Sequence, residues 1–170
     1  MRREVGLVSA LAMSLIATQA SYAGDVDVAY TLTNLGTNHW QYTYDVTNNA
    51  LVLTVEEFTI WFDLADFRNL SITTPDPPSS NWDELVTQPD PLLGDDGYYD
   101  ALALSAPIGV GQSVQGFSVA FEWLGPGIPG QQPFDIVDPV TFQPILSGWT
   151  LPEPASFLLP LLAVLFLRRR

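Results

Sequence analysis

The chain has 170 residues, no cysteine and a formal net charge of −13 at pH 7. This length allows one modest domain together with targeting segments. Without cysteine, neither a disulfide framework nor a lipidated cysteine anchor can form. Of the 19 acidic residues only Glu4 and Glu153 lie outside positions 24–150, so that region carries 17 acids against the single base Arg68.

This strongly acidic balance limits the partners of the central region. Binding to a phosphate backbone needs Lys and Arg to displace counterions, so we expect no nucleic-acid partner. A negative surface keeps an exported domain soluble. Clustered carboxylates are also the hard oxygen ligands that Ca²⁺ accepts.

The first 23 residues are typical of a secretory signal peptide. Arg2 and Arg3 form a positive n-region, and an apolar run over 5–17 has the length of an h-region. Ser21 and Ala23 supply small residues at the −3 and −1 positions of a cleavage site. We expect a helical signal peptide at 1–23, cleavage after Ala23, and export of the remainder by the export and signal peptidase machinery.

Alternating apolar and polar residues predict β-strands throughout positions 24–150. Such alternation is typical of a strand with one buried face, and no run in this region predicts a helix. Gly, Pro and Asn turn signals separate roughly eight short strands, which indicates a single antiparallel β-sandwich, Ig-like or jelly-roll-like. The clearest runs cover 26–32, 40–47, 58–62, 98–104, 117–123 and 134–137.

The run over 51–63 changes its alternation at Glu56 and Glu57. Apolar residues precede this pair at odd positions and follow it at even positions. One regular strand cannot bury both sets on one face, so we expect a β-bulge or a change of sheet there. Adjacent acids in a strand point to opposite faces, which argues against a catalytic dyad.

Few residues are available for catalysis. His39 is the only histidine and nothing resembles a nucleophile elbow, while a zinc site needs several His or Cys ligands. The lack of Cys and Lys excludes thiol and Schiff-base mechanisms. We therefore expect a non-enzymatic protein, with a carboxylate-based glycan hydrolase as the less favoured alternative.

Two kinds of ligand site remain as alternatives for a secreted binding module. The first is an irregular calcium loop around Gly97, although its spacing does not match an EF-hand and aspartates are also common in turns. Its ligands would be Asp90, Asp95, Asp96 and Asp100.

The second alternative is a carbohydrate platform made of exposed tryptophans. Trp40 and Trp123 fall on the apolar faces of their strands and are expected in the core. Trp61 opposes the alternation of its apolar neighbours, and Trp82 follows a polar loop. We expect Trp61 and Trp82 to be exposed, and an exposed aromatic pair indicates a binding surface.

The last twenty residues contain three signals in order. Pro152, Glu153 and Pro154 come first, an apolar run over 157–167 follows, and three arginines, 168–170, end the chain. An apolar run with a cationic stop is a membrane signal. The segment 151–170 resembles the PEP-CTERM sorting signal of Gram-negative bacteria.

The resemblance implies recognition by exosortase, an integral membrane processing enzyme, and removal of the tail near the motif. It also implies delivery to the cell surface or extracellular matrix and an association with exopolysaccharide. Pro152, Glu153 and Pro154 would then be substrate residues, and Arg168, Arg169 and Arg170 the membrane stop. The Gram-positive sortase signal does not fit, because Pro154-Ala155 replaces its Thr-Gly.

The apolar segment is short for a permanent anchor. Residues 155–167 would form a helix of about 20 Å, against a hydrocarbon core of about 30 Å. A short helix suits transient anchoring in the inner membrane before the tail is removed. An uncut C-terminal anchor is the alternative.

Overall fold

A computed structural model describes residues 24–153. The predicted signal peptide at 1–23 and the remainder of the sorting signal at 154–170 lie outside the described residues. Within 24–153 the chain forms ten strands and no helix. The strands are β1 (Val26–Gly36), β2 (His39–Asn48), β3 (Glu57–Phe62), β4 (Phe67–Ile72), β5 (Trp82–Thr87), β6 (Gly97–Ala103), β7 (Gln112–Trp123), β8 (Pro133–Asp138), β9 (Gln143–Trp149) and β10 (Leu151–Pro152).

The ten strands form two five-stranded sheets. Sheet I has the order β10-β1-β2-β7-β4, and sheet II has the order β5-β6-β3-β8-β9. The prediction of an all-β fold rich in antiparallel pairs is confirmed for these residues. One pair departs from the expectation, because β10 runs parallel to β1.

Aromatic side chains from both sheets meet in one core. Phe58 of sheet II packs edge-on against Phe117 of sheet I, with ring centroids 4.9 Å apart. Tyr42 stacks on Phe121 at 4.9 Å and on Tyr44 at 5.5 Å within sheet I. Burial of each such side chain contributes about 1.5–3 kcal/mol before conformational entropy is subtracted. The alternation predicted from the sequence therefore sends one face of each sheet inward.

The predicted break near Glu57 is a change of sheet. The chain leaves β2 of sheet I and enters β3 of sheet II through residues 49–56, which form no named strand. Val55 is buried and makes an isolated bridge with Ile108, whereas Leu53 is 59% exposed. The chain thus changes sheet in an irregular connection, and the strand predicted to run through 51–56 with a bulge or a sheet switch does not form.

The chain remains attached to sheet I beyond residue 150. Leu151 pairs with Ala29 and Pro152 with Tyr30, and the Glu153 N–H donates to the Tyr30 carbonyl over 2.9 Å. The β10 pairing thus continues the domain into the first residues of the predicted sorting signal. Across positions 24–153 no helix is found that is long and apolar enough to pass through a lipid bilayer.

Candidate ligand-binding face on sheet II

The outer face of sheet II carries the side chains that alternate with its core residues. In β3, Phe58 and Ile60 are fully buried, while Glu57, Thr59 and Trp61 take the intervening positions. These three side chains line an open groove with a volume of about 520 Å³. We call it the sheet II groove and define it by Glu57, Thr59, Trp61, Tyr98, Asp100 and Asp135.

Trp61 lies near the end of β3, which is the central strand of sheet II. Its indole Nε1 donates a hydrogen bond to Asp135 Oδ2 over 2.8 Å, and its ring centroid lies 5.5 Å from that of Tyr98. The Ser147 hydroxyl donates to the other Asp135 oxygen over 2.5 Å. The indole is therefore held in one orientation by neighbouring strands, and such preorganisation lowers the entropy cost of binding a ligand.

Two further cavities adjoin the groove at Trp61. One continues toward the turn that contains Leu93 and Asp95, and the other continues toward Trp149. Trp149 lies in β9 and is 61% exposed. Trp61 therefore lines three neighbouring cavities.

The expectation that Trp82 is exposed is wrong. Trp82 is 2% exposed and packs edge-on against Phe117 at 5.2 Å. It begins β5 on the inner face, where it also lies 5.8 Å from Phe58. A platform made of Trp61 and Trp82 therefore does not form, because the two indoles occupy opposite faces of sheet II.

Tyr98 takes the place expected for Trp82 as the aromatic partner of Trp61. Strand register pairs the two residues directly across β3 and β6. Sequence reasoning missed Tyr98 as well as Trp149, although both stand at alternate positions of recognisable strands. Trp40 and Trp123 are partly buried and pack against the core, in line with their predicted placement.

The groove carries carboxylates that are partly withdrawn from water. Asp100 Oδ1 accepts a hydrogen bond from the Thr59 hydroxyl over 2.6 Å. Burial raises the pKa of Asp100, the Thr59 bond opposes that shift, and the nearby Asp83 adds to it. Among residues 24–153 the basic side chains are Arg68 and His39, and both belong to strands of sheet I.

Glu57 is the most buried acid of the groove. It is 8% exposed, and its Oε2 atom is buried without a hydrogen-bond partner. Leu102 and Val137 flank it in the strand register. Burial raises the pKa of Glu57, and the charges of Asp100 and Asp138 raise it further. A positive charge in the groove would offset the charge of this carboxyl when it is ionised.

The four aspartates of the predicted calcium loop do not converge on one point in the structure. Asp90 Oδ1 accepts from the Leu92 N–H over 2.8 Å, and Asp96 Oδ1 accepts from the Leu64 N–H over 2.9 Å. Asp90 and Asp95 form an isolated bridge, whereas Asp100 belongs to the sheet II groove. In the described part of the chain, no group of three or more Asp, Glu or His is placed to hold a metal ion.

The predicted sorting motif is only partly within the described residues. Pro152 and Glu153 lie at the surface beside β1, while Pro154 and the arginines at 168–170 lie outside residues 24–153. Burial raises the pKa of Glu153, and the neighbouring Asp45 raises it further.

Comparison with known proteins does not assign the chain to a family. No protein-family model matches it, and no curated protein matches it either. Function has to be inferred from the sheet II groove and from the sequence signals at the two ends of the chain.

Proposed function

We propose that this chain is an exported, non-enzymatic protein of the cell surface or extracellular matrix, delivered by exosortase recognition of its C-terminal PEP-CTERM signal. The observation that supports this proposal is the order of signals in the sequence. A signal peptide at 1–23 precedes the domain, and the Pro-Glu-Pro motif, apolar run and arginine stop follow it. No single globular domain requires that order.

The proposal assigns a role to each part of the chain. The export and signal peptidase machinery removes the N-terminal signal peptide, and the short C-terminal apolar segment anchors the protein transiently in the inner membrane. Exosortase then acts near Pro152, Glu153 and Pro154, and the Ig-like or jelly-roll-like sandwich is passed on to the surface, in association with exopolysaccharide. The all-β domain needs no disulfide for this route, since the chain has no cysteine.

Mass spectrometry of the mature protein from its native cells tests this proposal. We expect a protein that begins at Gly24 and lacks the residues after about position 154. A chain with Arg168, Arg169 and Arg170 replaced by Gln is the matched variant, and it should accumulate unprocessed at the membrane. Recovery of an intact C-terminal peptide ending in Arg170 from most wild-type molecules would overturn the proposal.

A second function, saccharide binding by the domain, is favoured by the sheet II groove. Sugars present C–H faces that pack on aromatic rings and hydroxyl groups that donate to carboxylates. Trp61 and Tyr98 offer the rings, and Asp100 and Glu57 offer acceptors beside them. The groove volume of about 520 Å³ is in the range of about 300–1,000 Å³ that small-molecule sites occupy.

A glycan array followed by calorimetry on the exported protein tests the second function. We expect saturable binding that Trp61→Ala abolishes, because the indole supplies the larger of the two aromatic rings that line the groove. Ile72→Ala removes an exposed apolar residue from sheet I and should leave binding unchanged. Polysaccharide turnover that disappears in Glu57→Gln would instead establish the glycan hydrolase alternative.

A further inference from the structure

We infer that the saccharide recognised by the sheet II groove carries free ammonium groups, so that its chemical class is an amino-sugar oligomer or polymer that is not N-acetylated. This inference rests on the second function proposed above, saccharide binding by the groove. Three features of the groove lead to it: the sign of its charge, an unpartnered buried carboxyl oxygen, and the position of the aromatic rings.

The charge of the groove selects against acidic glycans. Glu57, Asp83, Asp100 and Asp135 all line it. The basic side chains of residues 24–153 lie on sheet I, so none of them offsets these carboxylates from within sheet II. A uronate or sulfated chain would bring like charges together in a partly desolvated site, whereas an ammonium group would meet opposite charges.

The Glu57 carboxyl supplies the second feature. A buried polar atom without a hydrogen-bond partner is uncommon in folded proteins because its desolvation is not compensated. Glu57 is 8% exposed, its Oε2 has no partner, and its side chain lines the groove. An ammonium group in the groove carries a positive charge that would offset the charge of this buried carboxylate, which a neutral hydroxyl cannot do.

The aromatic pair supplies the third feature. Cations are attracted to the faces of Trp and Tyr rings when they lie within about 6 Å of the ring centroid. Trp61 and Tyr98 line the same groove as Glu57, and Asp135 fixes the Trp61 indole through its N–H. An amino sugar would thus place its ring over an aromatic surface and its ammonium group beside carboxylates.

Calorimetric titration of the exported protein with three hexasaccharides of equal length tests the inference. The probes are fully deacetylated chito-hexaose, its N-acetylated counterpart, and a hexamer of galacturonate. We expect the deacetylated probe to bind at least about tenfold more tightly than the N-acetylated one, since each charge-assisted hydrogen bond contributes about a factor of ten. The galacturonate probe should not bind.

Variants distinguish a specific site from attraction between a polycation and an acidic protein. Glu57→Gln should weaken binding of the deacetylated probe by about tenfold and barely affect the N-acetylated probe. Asp25→Asn removes the same charge from an exposed position before β1 and should have little effect. Trp61→Ala keeps every charge and should still abolish binding. Thermal unfolding of each variant confirms that the domain is folded.

The results that would contradict the ammonium inference differ from those that would contradict saccharide binding by the groove. Equal affinity for the deacetylated and N-acetylated probes, unaffected by Glu57→Gln, would overturn the ammonium inference and leave saccharide binding intact. Equal weakening by Asp25→Asn and Glu57→Gln, with Trp61→Ala still binding, would also overturn it, because the attraction would then be non-specific. Failure of every glycan to bind would overturn both proposals.

Discussion

The indole of Trp61 and the carboxylate of Asp135 are joined by a hydrogen bond across β3 and β8, with Nε1 and Oδ2 2.8 Å apart. Ser147 of β9 holds the second carboxylate oxygen. Three neighbouring strands therefore determine the orientation of one aromatic ring, which is half-buried and not exposed as the sequence had predicted. Because the indole N–H is already engaged, the ring itself is the surface that Trp61 offers to a ligand.

The first prediction concerns this hydrogen bond. Asp135→Ala should weaken saccharide binding by about three- to tenfold, because the indole gains rotational freedom that binding must then remove. The unfolding free energy should fall by about 0.5–1.5 kcal/mol for each of the two lost bonds, to Trp61 and to Ser147. Calorimetry and chemical denaturation measure the two effects. A matched Asp25→Asn variant should change neither quantity, and full affinity in Asp135→Ala would show that the bond is not needed for positioning.

The second prediction separates the buried tryptophan from the exposed one. Trp82→Ala should lower the unfolding free energy by about 3–5 kcal/mol, because it opens a cavity against Phe58 and Phe117. Trp149→Ala removes the same side chain from an exposed position and should cost less than about 1 kcal/mol. Urea denaturation of both variants measures the difference. Equal losses would mean that Trp82 does not contribute to the core.

The third prediction is that acidic groups of the groove make stability fall as the pH rises. The pKa of Glu57 in the folded state is raised above its ordinary value of 4.5. A raised pKa means that the folded state holds the proton more tightly than the unfolded state. The stabilisation is therefore fully present below pH 4.5 and is lost as the pH rises through the folded-state pKa.

Glu57→Gln tests this pH dependence directly. The variant cannot ionise, so its unfolding temperature should exceed that of the wild type near pH 7, and its slope between pH 4 and pH 7 should be smaller. The change removes a buried carboxylate without altering the side-chain volume, which makes loss of packing an improbable complication. Thermal scans over this pH range measure the slope. Identical slopes in the two proteins would contradict the assignment to Glu57.

The fourth prediction concerns the sorting motif. Glu153→Ala should leave the domain as stable as the wild type, because the hydrogen bond to Tyr30 uses the Glu153 backbone N–H and not its side chain. The variant also removes a carboxyl beside Asp45. Under the sorting proposal, the folded protein should nevertheless remain unprocessed, as cell fractionation and mass spectrometry would detect. Loss of the folded domain in Glu153→Ala would indicate a structural role instead.

The alternation of apolar and polar residues along the chain was sufficient to predict that this domain is all-β. A strand with one face in the core repeats every two residues, so runs such as 40–47 and 117–123 predict their own secondary structure. The break at Glu57 was visible for the same reason, since a reversed alternation requires a bulge or a change of sheet. Each of these inferences depends on residues that are neighbours in the chain.

The candidate site was only partly predictable. The alternation in β3 predicts that Trp61 lies on the opposite face of the strand from Phe58 and Ile60. The groove occupies the face that carries Trp61. Trp82 stands at the beginning of a strand after an irregular loop, and its polar neighbours in the sequence favoured an exposed side chain. In the structure β5 directs that side chain into the core.

The sequence by itself determined the strand-forming pattern, the acidic charge and the order of the predicted terminal signals, because each is a property of composition or of adjacent residues. The tertiary structure alone decided that Trp61 lies beside Tyr98 and Asp135 and that Glu57 is buried among acids. Those contacts join β3 to β6 and β8, which are distant in the chain. The register of these strands depends on how the two sheets pack around one core. The alternation of apolar and polar residues within a single strand does not determine that register.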